Sequence, residues 1–381
     1  MENPFILSGY TSADYFCDRE QESAELVRKI VNGNNLVLIS PRRMGKTGLI
    51  EHCFHKKEIE NKYFTFYIDI YATGNLQEFV FKLGKEIFEK LKPKGKKFIE
   101  QFFAVISSLR PAFKLDELSG APIFDIGIGE IRAPEFTLEE IFKYLQSAEK
   151  HCIVAIDEFQ QIVNYPQRNI EAILRTHVQR TTNATFIFAG SRRQIMNNIF
   201  FSSAQPFYQS AALMELSAID LSEYSKFVVK HFEKADKIIE NQVVDVVYSL
   251  FEGHTWYMQS IFNELFSLTE KNETCTLQMA EIAVKNKIYS YKSIFQNTLL
   301  LLTQRQKELL YAIAKTDKAE GITSGEFIKK HGLLSPASVQ NLAKHLLAKE
   351  IITTENNIYS IYDRFMSLWL KEELGTGIRL R

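Results

Sequence analysis

The chain has no excess charge of either sign: 46 lysines and arginines stand against 46 aspartates and glutamates in 381 residues. No global field therefore steers it onto nucleic acid or an anionic membrane. Cysteine is scarce as well. Cys17, Cys53, Cys152 and Cys275 are scattered, no pair has zinc spacing, and Cys152 opens an apolar run. This usage fits a reducing, cytoplasmic setting better than an oxidising one. No stretch of 18 uninterrupted apolar residues occurs, so no spanning helix and no membrane partner is expected. The opening MENPFILSG is neither basic nor long enough to read as a secretion signal. What is present is an ordinary soluble composition, 45% apolar and 24% charged, in a chain long enough for two or three domains. Most of its 29 phenylalanines read as core.

The most informative segment is LVLISPRRMGKTGLI, Leu36 to Ile50. An apolar run, Leu36 to Ile39, ends at a compact loop that closes in Gly45, Lys46 and Thr47. Apolar residues resume at Leu49. A strand, a tight turn and a helix read this way, and such a turn wraps phosphate with backbone N–H groups at a helix N-terminus. The candidate nucleotide-binding residues are Ser40, Pro41, Arg42, Arg43, Met44, Gly45, Lys46, Thr47 and Gly48. Lys46 would reach the β- and γ-phosphates and Thr47 would hold Mg²⁺. The signature normally opens with Gly, and Ser40 stands there.

Phosphoryl chemistry also needs a carboxylate at the end of a neighbouring strand. The run CIVAIDEFQ supplies one: Cys152 to Ile156 read as a strand buried on both faces, and Asp157 and Glu158 follow. Asp157 is the candidate metal ligand, directly or through water. Glu158 is the candidate general base. A third strand, Thr185 to Ser191, ends in Gly190, Ser191, Arg192 and Arg193. Ser191 is the candidate γ-phosphate sensor, and Arg192 is placed with it in the catalytic set. As a finger residue, Arg192 competes with Arg193, Arg175 and Arg180, and the sequence leaves that choice open.

Up to residue 215 the pattern largely alternates strand and helix, as in a parallel sheet. A helix spans Asp18 to Val31, another follows the loop to about Glu60, and Tyr63 to Ile70 is a strand. Helices cover Leu76 to Leu91 and Leu138 to Leu145. Residues 92–134, basic at first in KPKGKK and alternating later in PIFDIGIGEI, read as an insertion holding a hairpin or an ordered lid. From 216 to 295 the pattern is helical: Leu221 to Phe232, Ile238 to Phe251, Trp256 to Leu268 and Leu277 to Ser290. From 296 to 381 come three helices and a hairpin, a winged-helix layout. Thr303 with Gln306, and Thr323 with Glu326, have capping-box spacing. Ser335-Pro336 opens the third helix. The hairpin is Ile351 to Thr353 with Ile358 to Ile361, and Phe365 to Leu370 closes the domain.

Together these motifs resemble the archaeal-type ATPases of the STAND group within the AAA+ superfamily, over nearly the whole chain. The marks are Pro41-Arg42-Arg43 before Gly45-Lys46-Thr47, Phe16-Cys17-Asp18-Arg19-Glu20 with Glu22, and Asp157-Glu158-Phe159-Gln160. Gly253-His254-Thr255 stands where the family has Gly-x-Pro, and Tyr359, Ile361, Asp363, Phe365 and Trp369 close the pattern. The resemblance implies an α/β P-loop ATPase domain over 1–215, a lid-like helical domain over 216–295 and a winged helix over 296–381. It implies that segment 14–24 approaches the nucleotide base, with Arg19 in a site role or as a clamp, and that His254 contacts phosphate. Without the Pro, Thr255 can still cap its helix. Arg364 replaces the usual Pro after Asp363, and the aromatics nearby read as core anchors.

The expected cofactors are ATP and Mg²⁺. The first reading is an ATP-hydrolysing molecular switch, slow in turnover, whose winged helix is a protein-interaction or output module. A protein partner or self-association goes with it. The second is a DNA-binding regulator or mobile-element protein. Its support in the chain is thin: residues 301–381 hold 12 basic and 9 acidic residues, and Lys344, His345 and Lys349 lie on or near the third helix. The third is a nucleotide-binding scaffold with little turnover, against which the intact Lys46, Thr47, Asp157 and Glu158 argue.

Overall fold

The computed structural model describes residues 2–91, 106–108, 114–115, 122–123, 128 and 131–375. Two compact units result, Ser8–Ile219 and Met1–Leu7 with Asp220–Arg381. Residues 2–7 thus do not belong to the unit that they precede in sequence.

In the first unit α1 (Glu20–Val31) leads through a turn into β1 (Leu36–Ile39), followed by α2 (Lys46–Phe54), β2 (Phe64–Asp69) and α3 (Leu76–Lys90). A short antiparallel pair, β3 (Lys114–Leu115) and β4 (Pro122–Ile123), falls in the expected insertion. The basic KPKGKK stretch and most of PIFDIGIGEI lie outside the described residues. Then come α4 (Pro134–Gln146), β5 (Cys152–Asp157), α5 (Ile170–Arg180), β6 (Ala184–Gly190), α6 (Arg193–Phe201) and β7 (Ala212–Glu215). The five long strands form one parallel sheet in the order β2-β5-β6-β1-β7.

The sheet is apolar on both faces because each central strand is clad by helices on both sides. Val37, Ile39, Val154, Ile156, Phe186 and Phe188 face the α3–α6 layer. Leu36, Leu38, Ile153, Ala155, Ile187 and Ala189 face α1 and α2. The first face holds an aromatic cluster. Phe188 lies 4.6 Å from Phe159, 5.1 Å from Phe200 and 5.4 Å from Phe207, ring centre to ring centre. The expectation that phenylalanine is mostly core holds for these rings.

Several local expectations are corrected. The first helix starts at Glu20 rather than Asp18: Asp18 and Arg19 are both left-handed, and Arg19 is the cap position. The helix after the loop ends at Phe54, because residues 55–62 turn to bury Ile59 completely. The acids are not on the strand next to β1. β6 intervenes, so Lys46 works across two strand spacings, roughly 9–10 Å. Strand β7 was not foreseen, since ALME is four residues long and only one of them is buried.

The second unit contains α7 (Leu221–Lys234), β8 (Ile238–Ile239), α8 (Asn241–Phe251), α9 (Thr255–Leu268), β9 (Thr274–Cys275) and α10 (Leu277–Leu300). It continues with α11 (Gln304–Thr316), β10 (Ala319–Glu320), α12 (Gly325–His331), α13 (Pro336–Ala348), β11 (Ile352–Glu355), β12 (Ile358–Ile361) and α14 (Arg364–Glu373). Phe5 is fully buried among Phe227, Phe232, Phe262 and Phe266, which ties the N-terminus here. Helix α10 is 24 residues long and runs through the boundary expected at residue 295.

The winged helix is present. Its capping box, Thr303 with Gln306, is reciprocal. The second cap is Ser324, not Thr323, and accepts from Phe327 N. Asn356 and Asn357 are both left-handed, as a two-residue hairpin turn demands, and β10 adds a third strand. Thr255 does not cap α9. His254 holds the cap position, and the Thr255 hydroxyl is buried without a hydrogen-bond partner. Arg364, where the resemblance leads one to expect Pro, uses its N–H, which donates to Tyr257 OH at 3.0 Å, and its guanidinium meets Glu252 at 2.7 Å.

Replacing Phe188 with Ala should cost about 3–5 kcal/mol, because the four rings packed on it, Phe159, Phe186, Phe200 and Phe207, cannot collapse onto the void. Urea unfolding of the variant against the native chain measures this.

Candidate nucleotide-binding site

The loop leaves β1 near the middle of the sheet and enters α2 through two left-handed residues, Arg43 (φ 68°) and Gly45 (φ 86°). Gly supplies that geometry without a Cβ penalty. Ser40 extends the strand: its N–H donates to Gly190 O at 3.1 Å and its hydroxyl to Pro41 O at 3.0 Å. It is fully buried and Met44 nearly so, so neither offers a side chain to a ligand. Pro41 and Gly45 are exposed. Gly48 sits beside Phe16, whose ring stacks on His52 at 4.2 Å. The N-terminal segment is thereby seated against α2. His52 is neutral: burial lowers its pKa to about 4, with Lys56 and His55 adding to the effect.

Lys46 and Thr47 meet the acids. The Lys46 ammonium lies 2.7 Å from Asp157 Oδ1 and 3.3 Å from Glu158 Oε1. Thr47 Oγ1 lies 3.2 Å from Asp157 Oδ2. Burial would raise the Asp157 carboxyl. The Lys46 charge, together with bonds from Lys46, Tyr67 and the Glu158 amide, outweighs burial and holds it below its ordinary value. Asp157 is therefore a carboxylate at neutral pH.

Glu158 is left-handed (φ 56°), which turns its side chain out of the strand direction. Its Oε2 accepts from Gln160 at 2.5 Å and from Ser191 at 3.0 Å, and Arg42 stands 3.7 Å away. Arg42 also lies over the Tyr71 ring at 5.0 Å. Ser191 thus joins the acidic cluster from the end of β6. The neighbouring Gly190 is obligatory, since a Cβ there would come within 2.4 Å of Gln160 Oε1 and 2.6 Å of Met196 Sδ. Arg192 is exposed at the cap position of α6, and Arg193 pairs with Glu215 at 3.4 Å.

Arg19 has a different place from an open ligand. It is 2% exposed, and its guanidinium donates to Glu22 at 2.7 Å, to Met44 O at 3.3 Å and to Ser217 O at 2.7 Å. It is a strut under the loop, tying α1, the loop and the segment after β7. His254 belongs to the second unit. There its Nδ1 lies 3.0 Å from Phe251 O, and burial first, then Arg364, lowers its pKa.

Two participants were missed as site residues. Gln160 stood in a recognised motif, but its bond to Glu158 depends on the turn that follows β5. Tyr67 touches Thr47 Oγ1 at 2.9 Å and also donates to Asp157 Oδ2. Strand parity was its only signal in the sequence, and parity has no meaning until the register with β5 is known. Arg19→Ala should strand two carbonyls and Glu22, costing roughly 2–3 kcal/mol. Denaturant unfolding tests this, and the loss should appear without nucleotide.

The comparisons with known proteins agree with this geometry. Residues 16–261 match the family described as an ATPase domain predominantly from Archaea, and residues 293–372 match a probable winged helix domain. An uncharacterized ATP-binding protein of Methanocaldococcus jannaschii is 28% identical over 157 residues, spanning 39% of this chain and 43% of that relative. The chain thus matches less than half of its length. The Walker-type ATPase of Pyrococcus abyssi superimposes with TM-score 0.63 at 17% identity, over 97% of this chain and 99% of that one. The Aeropyrum pernix ORC2 protein in ADPNP–ADP complexes gives 0.61 at 13% identity, over 98% of both chains. The A. pernix ORC1 protein in complex with DNA gives 0.56 at 12% identity, over 98% and 97%. At these identities the likeness establishes the fold: a parallel P-loop sheet of AAA+ type followed by helical and winged-helix domains. The cluster of Lys46, Thr47, Asp157 and Glu158, and a family match over most of the chain, lead to one assignment: the protein belongs to the P-loop ATPase family found predominantly in Archaea.

Proposed function

We propose that the chain binds ATP with Mg²⁺, hydrolyses it to ADP and phosphate, and uses the cycle as a slow switch whose output is the winged helix. The observation that carries this reading is the buried Lys46 ammonium, shared between Asp157 and Glu158 at the N-terminus of α2. Thr47 and Asp157 would hold Mg²⁺: they offer hard oxygens 3.2 Å apart, the donor type this ion takes. Mg²⁺, when bound, supplies neutralisation of phosphate charge.

The residues of the chain do the rest. Lys46 and the loop amides receive the phosphates, which compete with the two carboxylates for the ammonium. Drawing Lys46 and Arg42 away leaves Glu158 held by Ser191 and Gln160 alone. Glu158 then takes the proton of the attacking water as the bond to the leaving phosphate oxygen breaks. Coupling base release to arrival of the triphosphate is what suits a switch. The exposed Arg192 is a candidate to act on a second copy, which would make self-association part of turnover. Placement in the STAND group rests on Pro41-Arg42-Arg43 and the Asp157 to Gln160 stretch.

The DNA-binding form of this reading has the better support from the relatives, since a chain similar over nearly its full length was solved in complex with DNA. In the present chain the solvent face of α13 carries Gln340, Asn341, Lys344 and His345, all exposed. Amide side chains read adenine edges and Lys reads guanine or phosphate. We therefore propose an ATP-dependent DNA-binding regulator as the fuller function, with a protein partner as the competing output.

Glu158→Gln should retain ATP binding and lose phosphate release by a factor of about 10²–10⁴. Lys46→Ala should lose binding, read by calorimetry. A native chain that binds Mg·ATP but releases no phosphate would establish the scaffold reading instead. With Glu158→Gln loaded with ATP, fluorescence anisotropy on duplex DNA should show binding that Lys344→Ala weakens, with a salt slope shallower by about 1. No binding at low salt would leave a protein as the output.

A further inference from the structure

We propose that Tyr67 is a positioning residue of the metal-carrying pair, fixing Thr47 and Asp157 in the arrangement in which both offer oxygen to the Mg²⁺ that accompanies ATP. The inference rests on the function proposed above and adds to it a residue outside both sequence motifs.

The argument begins with strand parity. β2 and β5 are parallel, with Tyr67 opposite Ala155 and Asp69 opposite Asp157. Phe66 and Ile68 face the α3–α6 layer, so Tyr67 shares the other face with Ala155 and, one alternation later, Asp157. That is the face on which α2 sets down Thr47. A phenol is long enough to reach from its own position to the next one along the strand. A Val, Ile or Thr there would stop short.

The hydroxyl has one proton and two partners. It donates to Asp157 Oδ2, so toward Thr47, 2.9 Å away, it must accept. The Thr47 proton then points inward, to Tyr67, with Asp157 Oδ2 the next acceptor at 3.2 Å, and the lone pairs of Thr47 are left for a cation. The other carboxylate oxygen of Asp157 is held by Lys46 at 2.7 Å and by the Glu158 amide at 2.8 Å. Donors on both oxygens fix the plane of the carboxylate. Without the phenol, the 3.2 Å contact alone would orient Thr47, and a hydroxyl on a single weak bond is free to turn.

The ring does not depend on its hydroxyl for its place. One flank packs on the layer that contains Leu49 and Ala155. The other lines a cavity of about 480 Å³ together with Tyr10, Glu51, His55 and Tyr63. Tyr67→Phe therefore removes the two polar contacts and keeps the packing.

The experiment measures ATP affinity by calorimetry in EDTA and across a Mg²⁺ titration, with phosphate release alongside, for the native chain, Tyr67→Phe and Tyr67→Leu. For Tyr67→Phe we expect unchanged affinity in EDTA and an unchanged melting midpoint. The Mg²⁺ concentration at half-effect should rise about tenfold, equivalent to ~1.4 kcal/mol. At saturating Mg²⁺, kcat should fall while KM holds. Tyr67→Leu should show the same Mg²⁺ shift with an added loss of stability. Equal weakening with and without Mg²⁺ would assign Tyr67 a structural role and overturn the inference, as would an unshifted Mg²⁺ response or a larger shift for Leu than for Phe. Absence of Mg²⁺-dependent affinity in the native chain would overturn the proposed function itself, a result distinct from failure of the tyrosine.

Discussion

An ammonium nine-tenths buried must have counter-charges, and the site is organised around that need. Lys46 comes from the helix after β1, and its partners come from the end of β5. Two opposite charges held close in a poorly hydrated setting attract far more strongly than at a surface, but removing either leaves the other uncompensated. The pairing therefore requires that β1, β6 and β5 lie in one register, that the loop return over the sheet, and that Asp157 leave its strand on the α2 face. The sheet order, the obligatory Gly190 and the Arg19 strut under the loop all serve that one requirement.

Under the proposed function, the same arrangement would let nucleotide binding act as a signal. Lys46 and Arg42 are cations set against carboxylates, and a triphosphate is a stronger anion than either carboxylate. Under the function proposed above, its arrival would redistribute cations from Glu158 to phosphate. Glu158, the proposed base, would then keep two neutral donors, Ser191 and Gln160. A local exchange of charge partners is the kind of event that biases a larger two-state element. In the second unit, Arg364 bonds Glu252 and Tyr257. It ties the start of the closing helix α14 to the end of α8 and to α9, so the winged helix and the helical part are joined by charge as well as by the continuous α10.

Much of the fold was legible. The alternation of apolar strands with amphipathic helices fixed a parallel sheet, because only strands buried on both faces read as unbroken apolar runs, as Cys152 to Ile156 does. The Thr303–Gln306 capping box and the hairpin of the winged helix were legible because their causes are local. The misses are local signals overruled by packing. Ile59 needed burial and ended a helix early. Ser324 displaced Thr323 as a cap, and His254 displaced Thr255. Strand β7 was too short to carry a period.

The sequence by itself determined the chemistry available: one amine, one hydroxyl and two carboxylates in motifs whose spacing along the chain implies a phosphate site. Those motifs are local, and local backbone geometry is written in adjacent residues. Only the tertiary structure decided which side chains complete them. Tyr67, Gln160 and Arg19 act through partners 90, 2 and up to 198 positions away. Which of them meet depends on strand register, on a left-handed turn at Glu158, and on a buried guanidinium reaching three carbonyl or carboxylate oxygens at once. Register and burial belong to the whole packed sheet, and no single stretch of residues encodes them.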